Sequence, residues 1–96
     1  MENPAVAQVF RDLAALLEQK KDNPFKIRAY RRVASEIDNL PVGLERLVAE
    51  GRLREIPGVG EAIAAKITEL MTTGHLRAYD KLRAELPENI PPEASS

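Results

Sequence analysis

Residues 52–67 read Arg52-Leu53-Arg54-Glu55-Ile56-Pro57-Gly58-Val59-Gly60-Glu61-Ala62-Ile63-Ala64-Ala65-Lys66-Ile67. At the centre, two glycines flank one apolar residue, so the backbone can turn sharply with no Cβ on either side. A helix starting at about Gly60 begins with amide N–H groups that lack intrahelical partners. Those groups point outward and carry the positive end of the helix dipole. The N–H groups of Gly58, Val59 and Gly60 are therefore predicted to donate to phosphate oxygens without help from side-chain charge. Val59, Ile63, Ala64 and Ile67 are spaced to anchor the turn in a core, and Ala64 is small enough for close helix approach. The alternative is a tight interhelical turn with no ligand.

The flanking segments are helical. Asn3 and Pro4 supply a cap and a first-turn proline. Val6, Val9, Phe10, Leu13, Leu16 and Leu17 then recur at helical spacing, predicting a helix over 4–19. Asn23-Pro24 repeats the start signal and predicts a second helix over 24–38. At about 100° per residue, Ala29, Tyr30, Val33, Ala34 and Ile37 share one arc. Arg28, Arg31 and Arg32 face the other way, and Lys26 and Tyr30 lie one turn apart at the core edge. Leu40-Pro41 ends this helix, and a short one near 44–50 stops at Gly51. A last helix is predicted over 75–86, after Gly74. Residues 87–96, PENIPPEASS, read as a disordered tail. With no strand pattern, the expected fold is all-α: four or five short helices forming one domain over 1–86.

A chain of 96 residues holds one modest core, which excludes a polymerase or a dinucleotide-binding enzyme. Hydrophobic residues at 44% and charged residues at 30% fit a globular composition. The absence of cysteine removes disulfides and thiolate chemistry, and the single histidine, His75, excludes a histidine metal cluster. The start, Met1-Glu2-Asn3-Pro4, lacks a secretory pattern, and no apolar run approaches ~18 residues. A cytoplasmic protein with no membrane partner is expected. The formal net charge is −1, yet residues 20–32, KKDNPFKIRAYRR, carry +5 and leave −6 for the rest. Screening limits the reach of distant acids to roughly 8–10 Å, so this patch can still hold phosphate.

Together, IPGVGEAIAAKI and the upstream block NPFKIRAYRRVASEIDNLP resemble the amino-terminal helix-hairpin-helix (lyase-type) domain of family X DNA polymerases, DNA polymerase beta-like, over about residues 4–86. The resemblance implies a compact domain that binds gapped or nicked DNA on the 5′-phosphate side and acts in DNA repair. It also implies a monovalent cation, Na⁺ or K⁺, held by the backbone carbonyls of Arg54, Ile56 and Val59. No other cofactor is implied. Lys66 falls on the family's Schiff-base lysine, Lys26 on a phosphate-pocket lysine, and Tyr30 on the tyrosine beside the nucleophile. Arg77 matches a basic position suited to backbone phosphate. Ala62 and Ala78 stand where the beta enzyme has phosphate-binding lysines, and Phe25 stands where it has a histidine. These departures predict a weaker hold on a 5′-phosphate. The nucleotidyltransferase domain is absent from these residues, which leaves a stand-alone relative or a fragment of a longer protein, and a polymerase or nuclease partner is expected.

Judged on its own residues, Lys66 flanks the Ile63, Ile67 and Leu70 arc. A nucleophilic lysine must be neutral, which needs burial or neighbouring cations. Lys26, Arg28 or Arg31 could supply these, while Glu69 would oppose. The alternative is a lysine lying over the core edge or contacting phosphate as a point charge. His75 reads as a surface residue and Tyr79 as core or core edge. Ser35 has no identifiable base. Three functions remain open: a DNA-backbone binding module, an abasic-site (deoxyribose phosphate) lyase using Lys66, and a helical protein-interaction module whose acidic body suits a basic partner.

Overall fold

The computed structural model describes residues 1–86, and the tail expected over 87–96 lies outside the described residues. Five α-helices follow one another: α1 Asn3–Gln19, α2 Pro24–Asp38, α3 Leu44–Glu50, α4 Glu61–Thr73 and α5 Arg77–Glu85. A 3₁₀ turn, Leu53–Glu55, lies between α3 and α4. Among the described residues there is no strand, as the sequence pattern predicts, and no helix long and apolar enough to cross a membrane.

α1 and α2 form an antiparallel pair. Ion pairs between Arg11 and Asp38 and between Glu18 and Arg31 cross from one helix to the other. Between them, Phe10 and Tyr30 pack with ring centroids 5.8 Å apart at a 43° tilt. The buried stripe of α2 is Ile27, Tyr30, Val33, Ala34 and Ile37. Ile27 takes the place expected for Ala29, which is half-buried. It lies three residues before Tyr30 and seven before Ala34, on the same stripe, and removes far more apolar surface from water than a lone methyl does. Leu44, Ile67 and Leu70 extend this core into α3 and α4.

Asn23 caps α2 as expected: its side chain accepts the Phe25 N–H at 2.9 Å. Asn3 does not cap α1. That helix starts one residue earlier than expected, and its N-cap position falls on Glu2, with no side-chain cap. The Asn3 amide instead reaches 39 residues along the chain and donates to the Val42 carbonyl at 2.9 Å. Its oxygen accepts the Leu44 N–H, also at 2.9 Å. The first N–H of α3 has no intrahelical acceptor, so Asn3 fills that need and clamps the start of α1 to the α2–α3 connection.

The last helix is shorter than expected. His75 lies before it, with its N–H donated to the Thr73 hydroxyl at 3.1 Å. Leu76 is extended and buried at the α5 N-cap, so helical geometry begins only at Arg77. Leu82 then packs into the core, and Lys20 bonds Glu85 at 2.7 Å to join the ends of α1 and α5.

Asn3→Ala is expected to lower unfolding free energy by about 1–2 kcal/mol, from two part-buried hydrogen bonds lost together. Asn3→Asp keeps the acceptor for Leu44 and loses the donor to Val42, so its loss should be smaller. Urea midpoints of the three proteins check this ordering.

Candidate functional site

Ile56 and Val59 are buried, whereas Pro57, Gly58 and Gly60 between and beside them are exposed. The Val59 N–H donates to the Ile56 carbonyl at 3.0 Å and closes a four-residue turn. Pro57 is its second residue and Gly58 its third, at φ +87°. A type II turn demands this order, with a positive φ at the third position. The expected role of the Val59 amide is thereby corrected. Its N–H is committed inside the turn because its side chain draws that part of the chain into the core. Gly60 follows as the N-cap of α4, with no side chain over it. The amides of Gly58 and Gly60 take no part in that turn bond, and the first-turn amides of α4 after them have no intrahelical acceptor. The Ile56 carbonyl, expected to face a cation, already accepts one hydrogen bond.

The three arginines of α2 are exposed, as expected, but they do different things. Arg32 lies against the hairpin: a Cβ built on Gly58 would come within 3.4 Å of its Cδ and 3.5 Å of its Nε. Its Nε is 3.9 Å from the Glu36 carboxylate. Arg31 pairs back onto α1 through Glu18 at 2.7 Å. The Arg28 guanidinium lies 4.8 Å from the centre of the Phe25 ring, and Phe25 is 71% exposed. Only Arg32 of the three is placed against the hairpin glycine.

A second feature opens beside the first turns of α4. A cleft of about 400 Å³ brings together Lys26 and Tyr30 of α2 with Lys66 of α4. Ala62 and Ala78 line it as well, so the two positions lacking the family's lysines do face this space. Lys20 at the end of α1 and Lys81 on α5 line it too, accompanied by Asp22 and Glu85. Sequence reasoning counted Lys20 in the basic run but named neither it nor Lys81 as a site residue. The available signal was that Lys81 lies one helical turn beyond Ala78. Burial, and secondarily Asp22, raises the Tyr30 hydroxyl above the ordinary tyrosine range. It is therefore a neutral phenol at physiological pH.

Lys66 is half-buried. Of the cations expected to help it, Lys26 shares its cleft, whereas Arg28 and Arg31 are engaged with Phe25 and Glu18. Glu69 is held elsewhere: it accepts the Arg77 backbone N–H at 2.9 Å and the Arg77 Nε at 3.1 Å. The Arg77 backbone bond, then its side chain and the nearby Lys66, hold the Glu69 carboxyl below the usual range. Arg77 itself is 91% exposed and bound to Glu69. His75 is exposed, and Tyr79 is half-buried at the core edge. Among the described residues no group of three or more His, Asp or Glu side chains could hold a metal.

The helix-hairpin-helix domain family matches residues 1–76. The chain belongs to that family. The helix-hairpin-helix domain is also similar to the DNA polymerase/3′-5′ exonuclease PolX of Bacillus subtilis (strain 168). The two are 25% identical over 92 residues, which is 96% of this chain and 16% of the relative. The chain thus spans about one-sixth of the length of the curated relative it matches. These similarities make it a helix-hairpin-helix domain that resembles one part of a much longer DNA polymerase/3′-5′ exonuclease.

Two outcomes follow from the site geometry. Gly58→Ala should destabilise the domain by about 1–2 kcal/mol, because a side chain at positive φ is strained, while the added Cβ meets Arg32 only at ordinary van der Waals distance. Gly60→Ala, with nothing within 4 Å of the added Cβ, should change urea stability much less. For Glu69, a depressed carboxyl contributes stability above its unfolded range and loses it as pH falls through the folded value. Glu69→Gln should therefore be less stable than the parent near neutrality, and the two thermal midpoints should converge on acidification below about pH 4.

Proposed function

We propose that this domain binds DNA through its backbone, at gaps or nicks, and takes a 5′-phosphate in the lysine cleft as part of DNA repair. One observation carries the reading: Lys20, Lys26, Lys66 and Lys81 line one cleft, whose wall is the helix that begins at the hairpin. The hairpin amides and the cleft then form two ends of one phosphate-reading face. Amides at the start of α4 donate to one phosphate, with the Arg32 guanidinium beside them. The cleft lysines hold the next charged group as flexible point charges. Nothing in this set reads base edges, so recognition rests on backbone and strand structure. The relative is named as a polymerase and exonuclease, which supports a role beside such enzymes. The neutral oxygens of Arg54, Ile56 and Val59 are donors suited to Na⁺ or K⁺, with Ile56 offering its remaining lone pair. A cation there would bridge the turn to a phosphate.

Lyase chemistry is the second reading, favoured by the placement of Lys66. It is half-buried and lines the cleft beside Tyr30 and Lys26, the neighbours a Schiff-base lysine has in the resemblance. Glu69, three residues on along α4, is bound to Arg77. A neutral Lys66 Nζ would attack C1′ of an opened abasic sugar. Water would leave as the imine forms, and loss of a C2′ proton would then expel the 3′-phosphate. The protein-interaction reading loses ground. Glu18, Asp38, Glu50, Glu55, Glu69 and Glu85 each hold a cation within the domain.

Binding to a gapped duplex should weaken with salt at a log–log slope of about −3, as expected for three or four neutralised phosphates. Lys26→Ala should reduce that slope by about 1. Affinity that is independent of salt would remove the DNA reading. Borohydride should trap the parent, and not Lys66→Ala, on incised abasic DNA. A parent protein that cannot be trapped removes the lyase reading alone.

A further inference from the structure

We infer that Glu85 is an exchangeable stand-in for phosphate in the lysine cleft, held there by Lys20 and Lys81. This rests on the proposed phosphate-binding role of the cleft. The ligand is a phosphate monoester at a DNA strand end. Glu85 is the last residue of α5, and its Oε1 accepts from Lys20 Nζ at 2.7 Å across the cleft. Lys81, one turn earlier on α5, faces the same space and attracts the same carboxylate. An anion is therefore already lodged among the cations.

Two features make that anion replaceable. The Lys20 and Glu85 side chains are 36% and 40% exposed, and pairs open to water are weak. A phosphate monoester carries nearly two charges near neutrality and three acceptor oxygens, against one charge and two oxygens for a carboxylate. It can engage Lys20 and Lys81 together with Lys26 or Lys66. Asp22, the other acid of the cleft, differs: its carboxylate accepts the Asn23 N–H at 2.6 Å and is fixed in the α1–α2 turn. Glu85 sits at a helix end and can swing aside on its own side chain. Displacement forms no covalent bond. The carboxylate leaves Lys20 and the phosphate oxygens take its hydrogen bonds.

The test compares the parent, Glu85→Gln and Lys81→Ala on a one-nucleotide-gapped duplex with either a 5′-phosphate or a 5′-hydroxyl. Glu85→Gln should bind the phosphorylated duplex about threefold more tightly than the parent does, with little gain on the hydroxyl duplex. Lys81→Ala should lower the preference for phosphate by a similar factor. Equal gains on both duplexes would reveal a general charge effect and overturn the proposal. A loss on both, with a lowered thermal midpoint, would make Glu85–Lys20 a structural clasp and overturn it too. Excess inorganic phosphate should leave the end preference in place. If it erases that preference, the cleft takes the free anion and the strand-end assignment fails. A parent that binds both duplexes and ignores the end chemistry, with Glu85→Gln inert, removes this inference and leaves the DNA reading standing. A parent that binds neither duplex removes both.

Discussion

Val59 has to be inside and its neighbours outside, and most of the molecule's exposed chemistry follows from that demand. Burying this side chain and Ile56 pulls two points of the chain into the core, three residues apart. The intervening Pro57 and Gly58 can bridge them only by a turn with positive φ at its third residue. The turn takes up the Val59 N–H and passes the chain to Gly60, where α4 begins without a side-chain cap. Donors at the start of a helix are costly to leave unpaired when buried. Here they face solvent, where water or an anion can satisfy them. The apolar anchoring and the polar presentation are thus one arrangement.

α4 carries that arrangement to the cleft. Ala62 and Lys66 lie in its first turns and form part of the cleft wall, while Ile67 and Leu70 hold the same helix in the core. Any shift in how α4 seats would move hairpin and cleft together. The Arg32 side chain reaches from α2 to the glycine of the turn, so a guanidinium of the basic helix stands beside the hairpin.

What the sequence makes legible is what is encoded locally. Asn23-Pro24 starts α2 where its capping chemistry requires, and the apolar stripe of α1 is buried as its spacing demands. Pro57-Gly58 announces a turn. The encounters between distant segments are not legible in this way. Asn3 has the same composition of neighbours as a cap, yet its partners are Val42 and Leu44, which only the antiparallel closure of α1 and α2 brings near. Helical periodicity likewise placed Lys66 at the edge of its stripe but could not say that Lys20 and Lys81 would meet it. Those meetings depend on how α5 lies along α1, which side-chain spacing within either helix does not specify. The engagement of the Val59 amide is hidden for a related reason: a turn's internal hydrogen bond depends on its backbone conformation, and glycine permits several.

The α2 arginines are already partnered, Arg31 by Glu18 and Arg32 by Glu36. A polyanion approaching this helix would exchange partners with these guanidinium groups. Each swap returns a carboxylate to water while a strand oxygen takes its place, so little net energy is gained at any single step. Such a surface favours rapid, reversible hand-over along a strand, and lets the domain shift position without first escaping a deep electrostatic well.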